Sequence, residues 1–133
     1  AKKWAGAGYA QLADAFVDKG IIPVLAGTNI DRAAGDEVLA HAAHHEQIVD
    51  LIGRTSLMAL AGLVRDARLV IGNDTGPVFL GARLGAPTLM VMSGHTDPSM
   101  SAPYGPKVDW IRRPDLNDLT AADVAAAAFA LIS

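Results

Sequence analysis

The stretch from Leu69 to Gly85, Leu-Val-Ile-Gly-Asn-Asp-Thr-Gly-Pro-Val-Phe-Leu-Gly-Ala-Arg-Leu-Gly, constrains the fold more than any other. It opens with an apolar run of the length of a buried strand, passes through Asn73-Asp-Thr-Gly76, and enters an apolar helix. Pro77 suits the first helical position, where a missing N–H costs nothing. Thr75 or Gly76 is placed to cap the helix and Gly85 to end it. A strand that feeds a helix through such a turn leaves unpaired backbone N–H groups at the strand's carboxyl end. The positive end of the helix dipole lies at the same place, which makes a ready phosphate site. Asp74 would repel phosphate and is better suited to accept hydrogen bonds from hydroxyls, such as those of a sugar. The same residues also suit an ordinary capped strand-to-helix turn, and the motif alone does not separate the two.

The other segments repeat the alternation of strand and helix. Tyr9 to Lys19 reads as a helix with Leu12, Ala13, Phe16 and Val17 on one face, ended by Gly20. Ile21 to Ala26 is a strand whose regular part begins after Pro23. Gly27 to Ile30 is a turn, Asp31 to about Glu46 a helix, and Gln47 to Leu51 a short strand. Thr55 or Ser56 caps a helix from Leu57 to Arg65. Pro87 to Met92 is a strand, Ser93 to Lys107 a long loop, and Val108 to Ile111 the last strand. Thr120-Ala-Ala-Asp123 is a capping-box variant that opens a helix running to about Ile132. Short apolar strands separated by helix-length segments predict a parallel sheet covered on both faces. Ligands of such sheets bind beyond the strand carboxyl ends. Four polar turns fall there: Gly27 to Asp31, Gly53 to Ser56, Asn73 to Gly76, and Ser93 to Pro98.

At 133 residues the chain is the size of one domain, and no internal repeat or linker divides it. With 51% hydrophobic and 19% charged residues it is too apolar for disorder. A net charge of −3 gives no electrostatic footprint for nucleic acid. The absence of cysteine excludes disulfides and thiolate metal sites and fits a cytoplasmic location. No apolar run reaches the ~18 residues that span a bilayer, and no signal peptide opens the sequence. The start at Ala1-Lys-Lys-Trp4, without Met, reads as part of a longer protein.

The order of the turns carries more than any one of them. Lys2-Lys-Trp4 is followed by Tyr9-Ala-Gln-Leu-Ala-Asp-Ala15 and by Val24-Leu-Ala-Gly27 with an acid soon after. Then come Asp50-Leu-Ile-Gly-Arg-Thr-Ser-Leu57, Gly72-Asn-Asp-Thr-Gly-Pro77, His95-Thr-Asp-Pro98 and Pro103-Tyr-Gly105. Over nearly its whole length the chain resembles the C-terminal, donor-binding half of glycosyltransferase family 9, the lipopolysaccharide heptosyltransferases. The resemblance implies a Rossmann-like, three-layer parallel sheet, half of a two-domain GT-B enzyme. It also implies a nucleotide-sugar donor of the ADP-heptose kind, inversion at the anomeric carbon, and no catalytic metal or other cofactor. The acceptor would be a lipid-linked core saccharide, which places the protein in the cytoplasm with peripheral contact at the inner face of the inner membrane.

Carried over by position, Lys2 matches a lysine that reaches the donor phosphates. Asp31 stands where the family usually has a Glu that holds the ribose hydroxyls, and Asp74 matches the acid on the donor sugar. Thr75 and Gly76 match the backbone donors to the pyrophosphate. These roles suit the residue types, since Lys is a point charge for phosphate and carboxylates accept from vicinal hydroxyls. Three departures stand out. Phe79 occupies the place of a family His, for which His95 in a neighbouring loop is a candidate substitute. The family's catalytic Asp belongs to the N-terminal domain, which this sequence lacks. The strand that precedes the Lys-x-Trp segment in the family is also missing, and it would lie between the strands near Val24 and Leu69. A non-catalytic nucleotide-sugar binding or scaffold domain is therefore the alternative reading. His41, His44 and His45 share one face of the expected helix, but no Cys or carboxylate cluster completes a metal site, and a solvated face explains them better. Met90, Met92, Trp4 and Trp110 read as packing residues, and Arg112-Arg113 as a solvated basic pair.

Overall fold

The computed structural model describes residues 3–73, 75–95 and 105–132. The chain forms two compact units, one over Ala5–Leu60 and one combining Ala1–Trp4 with Ala61–Ser133. Every strand ladder is parallel, with order β1-β2 in the first unit and β3-β4-β5 in the second.

In the first unit, α1 (Gly6–Asp18) is followed by β1 (Val24–Leu25), α2 (Arg32–His41) and β2 (Val49–Asp50). β1 begins just after Pro23, as expected, and the Pro23 carbonyl accepts the Val49 N–H at 2.9 Å. Ala10 and Ala13 of α1 pack with Val38, Ala42 and Ile48, and Tyr9, Leu25 and Leu39 close around them. Burial pushes the Tyr9 hydroxyl pKa well above its ordinary value, so the phenol stays neutral. α2 is shorter than its sequence pattern. Ala42 is already extended, and the next two N–H groups, of Ala43 and His44, donate to the Asp14 carboxylate of α1 at 2.9 Å each. A side chain 29 residues away thus takes over from the helix carbonyls. In consequence His41, His44 and His45 do not share a helix face. The His44 ring pairs with Asp18 at 3.0 Å, and the His45 ring lies 3.4 Å from the Ala42 carbonyl.

α3 (Leu57–Asp66) carries the chain from the first unit into the second. Ser56 is its cap, with Oγ accepting the Ala59 N–H at 3.1 Å. The second unit contains β3 (Val70–Gly72), α4 (Gly76–Arg83), β4 (Thr88–Met92), β5 (Val108–Arg112) and α5 (Ala121–Ile132). All five residues of β4 are buried, Met90 and Met92 among them, as befits a central strand of a parallel sheet. α4 packs against β3 and β4, and α5 against β4 and β5. Trp4 is buried and its indole N–H donates to the Leu119 carbonyl at 3.1 Å. The outer edge of β5 is partly shielded, because the Asp109 carboxylate accepts the Trp110 N–H at 2.8 Å.

Helix ends follow local chemistry. Gly85, with φ of +92°, completes a Schellman motif at the end of α4: its N–H reaches the Ala82 carbonyl and the Ala86 N–H reaches that of Gly81. Gly20 does the same for α1. Thr120 Oγ1 accepts the Asp123 N–H at 3.1 Å to open α5, while the Asp123 carboxylate lies 3.7 Å from Arg113. Among the described residues β1 pairs only with β2 and β3 only with β4. No helix among the described residues is long and apolar enough to cross a membrane.

Candidate functional site

Parallel strands present their carboxyl ends on one side, and the turns there hold the candidate residues. At the end of β3 the chain leaves the sheet at Asn73, which is buried. Its side-chain amide donates to the Val91 carbonyl of β4 at 3.3 Å. Its own carbonyl accepts the Thr75 N–H at 2.8 Å. Thr75 is the N-cap of α4 by position, yet its hydroxyl makes no capping bond. The helix begins at Gly76, so Pro77 occupies the second helical position rather than the first, still among the residues whose N–H has no helical partner.

With the Thr75 N–H engaged by Asn73, the Gly76 N–H is the first donor that the helix offers outward. Packing does not demand a glycine there. Its φ is not positive, and a Cβ on it would meet no described atom within 4 Å. Among the described residues, a side chain at this position would therefore meet no obstacle. Phe79 sits one turn further along, its N–H donating to the Thr75 carbonyl at 3.2 Å.

The turn after β4 is built differently. Ser93 is buried and its Oγ accepts the His95 N–H at 3.1 Å. Gly94 is held from both sides: its N–H reaches the Pro114 carbonyl at 3.3 Å, and its carbonyl accepts from Arg112 Nη2 at 3.2 Å. A Cβ on Gly94 would stand 2.8 Å from the Pro114 oxygen, so only glycine fits without displacement. His95 thus follows a clamped turn, and its side chain is exposed. β3 and β4 are neighbours in one sheet, so the turns bearing Thr75-Gly76 and His95 leave adjacent strands at the same sheet end.

In the other unit, Asp31 closes a capping box with Thr28. Its Oδ2 accepts the Thr28 N–H at 2.9 Å, and the Thr28 side chain accepts the Asp31 N–H in return. One carboxylate oxygen is thereby occupied in shaping the turn after β1. The turn after β2 is bonded to it, the Gly53 N–H donating to the Gly27 carbonyl at 2.9 Å. Arg32, next to Asp31, reaches Asp50 with Nη1 3.1 Å from Oδ1. Lys2 and Asp74 lie outside the described residues. No group of three or more His, Cys, Asp or Glu suited to a metal occurs among the described residues.

Two contributors escaped the sequence reading: the Asn73 amide and the Arg32–Asp50 pair. Asn73 and Asp50 both stand inside motifs already singled out. What the spacing could not show is the cross-strand carbonyl or the helix cation that each one meets.

Comparison with known proteins gives these turns their setting. Residues 1–125 match glycosyltransferase family 9 (heptosyltransferase). Over 115 residues the chain is 31% identical to lipooligosaccharide heptosyltransferase 2 of Haemophilus ducreyi, covering 84% of this chain and 33% of that protein. The structure of Escherichia coli ADP-heptose LPS heptosyltransferase II superposes with a TM-score of 0.89 at 27% identity, over 99% of this chain and 42% of that one. The E. coli heptosyltransferase WaaC with ADP gives a TM-score of 0.81 at 27% identity, over 98% of this chain and 40% of that one. The same enzyme with ADP-2-deoxy-2-fluoro heptose gives 0.75 at 27% identity, over 97% and 38%. The fold is thus the mixed α/β, parallel-sheet architecture found in the C-terminal half of these GT-B enzymes. The chain spans about a third of the length of the curated relatives it matches. It belongs to glycosyltransferase family 9, the heptosyltransferase family.

Proposed function

We propose that this chain is the donor-binding part of an inverting, metal-independent heptosyltransferase of lipopolysaccharide core assembly. The donor is a nucleotide sugar of the ADP-heptose kind, and the acceptor a lipid-linked saccharide at a membrane surface. The observation that carries the reading is the start of α4, where among the described residues neither φ nor packing calls for the glycine at Gly76. Membership of the family and the ADP and ADP-sugar complexes of its WaaC neighbour support the same choice.

In the transfer, an acceptor hydroxyl attacks the anomeric carbon while the bond from that carbon to the diphosphate oxygen breaks. Negative charge collects on the departing diphosphate. The helix start at Thr75-Gly76 and the Lys2 ammonium oppose that charge, and they do so more strongly as it grows. Asp31 accepts from the ribose hydroxyls, Asp74 from the sugar hydroxyls, and His95 supplies an imidazole beside the phosphates. The base that takes the acceptor proton belongs to the N-terminal half of the enzyme.

A second reading, binding without transfer, draws on Phe79 in the place of the family's His. One experiment separates the two. The intact protein is titrated with ADP by calorimetry, then incubated with ADP-heptose and heptose-deficient lipopolysaccharide, and products are sought by mass spectrometry. Binding with product formation is expected. Binding without product favours the second reading, and absence of binding overturns both.

A further inference from the structure

We infer that Asn73 is a positioning residue of the donor site, whose side-chain amide ties the helix start at Thr75-Gly76 to the strand that carries His95. The inference rests on the reading of the site given above. β3 and β4 pair in parallel with Val70 opposite Thr88 and Gly72 opposite Met90, and the Val70 N–H donates to the Pro87 carbonyl at 2.8 Å. Carbonyls alternate sides along a strand, so those of Pro87, Leu89 and Val91 face β3. The ladder ends at Gly72, and the Val91 carbonyl, next in line, is taken by Asn73 Nδ2 at 3.3 Å. A side chain thus joins the end of β3 to the Val91 carbonyl of β4.

This bond has two consequences. It holds Asn73 against β4 while the Asn73 carbonyl takes the Thr75 N–H at 2.8 Å, and the helix begins at Gly76, close to the strand end. On the other strand, Val91 stands two residues before Ser93, which anchors the His95 N–H. One buried amide therefore fixes both turns to a common point. An amide nitrogen suits the task because it donates without charge, whereas a carboxylate would face the Val91 oxygen with a second acceptor.

The test uses the intact protein with ADP as probe. Asn73→Asp keeps the shape of the side chain and removes the donor. The control is Thr88→Val at the opposite end of β4, which removes another buried bond, from Thr88 Oγ1 to the Ala86 carbonyl at 2.9 Å. Calorimetry should show ADP affinity falling about tenfold or more for Asn73→Asp and less than about twofold for Thr88→Val. Equal ADP affinity in Asn73→Asp and the unaltered protein overturns the inference and leaves the site reading standing. Equal losses in the two variants overturn it too, since general destabilisation would then suffice. Failure of the unaltered protein to bind ADP overturns both the reading and the inference. If Asn73→Asp does not fold, the Asn73 Nδ2 protons are followed by NMR in the unaltered protein. Slow solvent exchange and a shift on adding ADP are expected, and the absence of either overturns the inference.

Discussion

The guanidinium of Arg32 is paired with the carboxylate of Asp50, Nη1 donating to Oδ1 at 3.1 Å and Nη2 lying 2.7 Å from Oδ2. Arg32 also reaches Asp36 through Nε at 2.9 Å, and Asp50 Oδ1 accepts the Ile52 N–H at 3.1 Å. Arg32 opens α2 directly after the Asp31 turn, and Asp50 ends β2. The pair therefore joins the end of one strand to the start of the helix that leads into it. Nη1 carries the hydrogen bond, while Nη2, which is buried, makes an ion-pair contact without hydrogen-bond geometry.

A dependence on pH follows. The Arg32 hydrogen bond, aided by the Ile52 N–H, holds the Asp50 pKa below its ordinary value against the opposing effect of desolvation. The pair's contribution is therefore complete above the unfolded carboxyl pKa of about 3.9 and is lost as pH falls through the lower folded value. Asp50→Asn should unfold at lower urea than the unaltered protein at pH 7, with the gap closing toward pH 2. A gap that stays constant across this range, in urea midpoints taken at successive pH values, contradicts the assignment.

The Gly94 turn makes a sharper contrast. Gly94→Ala puts a Cβ 2.8 Å from the Pro114 oxygen and 3.0 Å from its Cα, which backbone must move to relieve. A cost of about 1–3 kcal/mol is expected. Arg112→Ala removes, among its interactions, an exposed hydrogen bond to the Gly94 carbonyl, for which a loss of about 1 kcal/mol is expected. Chemical denaturation of both variants checks the ordering, and a larger loss for Arg112→Ala would show that the arginine, not the close approach, holds the turn.

What could be read from the sequence divides along a physical line. The Gly20 and Gly85 helix ends and the Ser56 and Thr120 caps were legible because each is decided within a few residues. The end of α2 was not, because Asp14 from another helix decides it. The candidate site divides in the same way. The strand, turn and helix around Thr75 and Gly76 could be read from local pattern, whereas the free space around Gly76 could not. The Asn73 bond to the Val91 carbonyl needed the β3–β4 register, which appears only once the strands are paired. The Asp31 capping box was legible in principle from Thr28 three residues before it, but the turn was read for its ligand role instead.

Asp31 can be tested for both roles at once. Asp31→Asn retains an oxygen for the Thr28 N–H, so the turn should keep its stability within about 0.5 kcal/mol. Asp31→Ala loses the cap and should cost about 0.5–2 kcal/mol. If the carboxylate also accepts from ribose hydroxyls, both variants bind ADP more weakly, although only one is destabilised. Native ADP affinity in Asp31→Asn would leave Asp31 with the structural role alone.

On the proposed function, Asp74 stands in sequence next to the helix start that takes the diphosphate, and its charge suits sugar hydroxyls better than phosphate. Asp74→Ala should therefore weaken an ADP-sugar by about 1.5–3 kcal/mol more than it weakens ADP. Calorimetric titrations with the two ligands measure the difference directly. Equal weakening would place Asp74 with the nucleotide.

Gly76 gives the most direct separation of fold from function. In most positions a glycine is kept because the backbone needs it, and alanine then destabilises. Here φ is not positive and a Cβ would meet no described atom within 4 Å. Alanine also restricts the unfolded chain more than glycine does, so Gly76→Ala should raise stability by about 0.4–1 kcal/mol. The added methyl would stand at the helix start, where on the proposed function a diphosphate comes close enough to take the Gly76 N–H. ADP affinity should therefore fall while the melting temperature holds or rises. These two changes have opposite signs, and general damage to the fold cannot produce them together. Undiminished ADP affinity in Gly76→Ala would mean that the open helix start is not where the diphosphate binds.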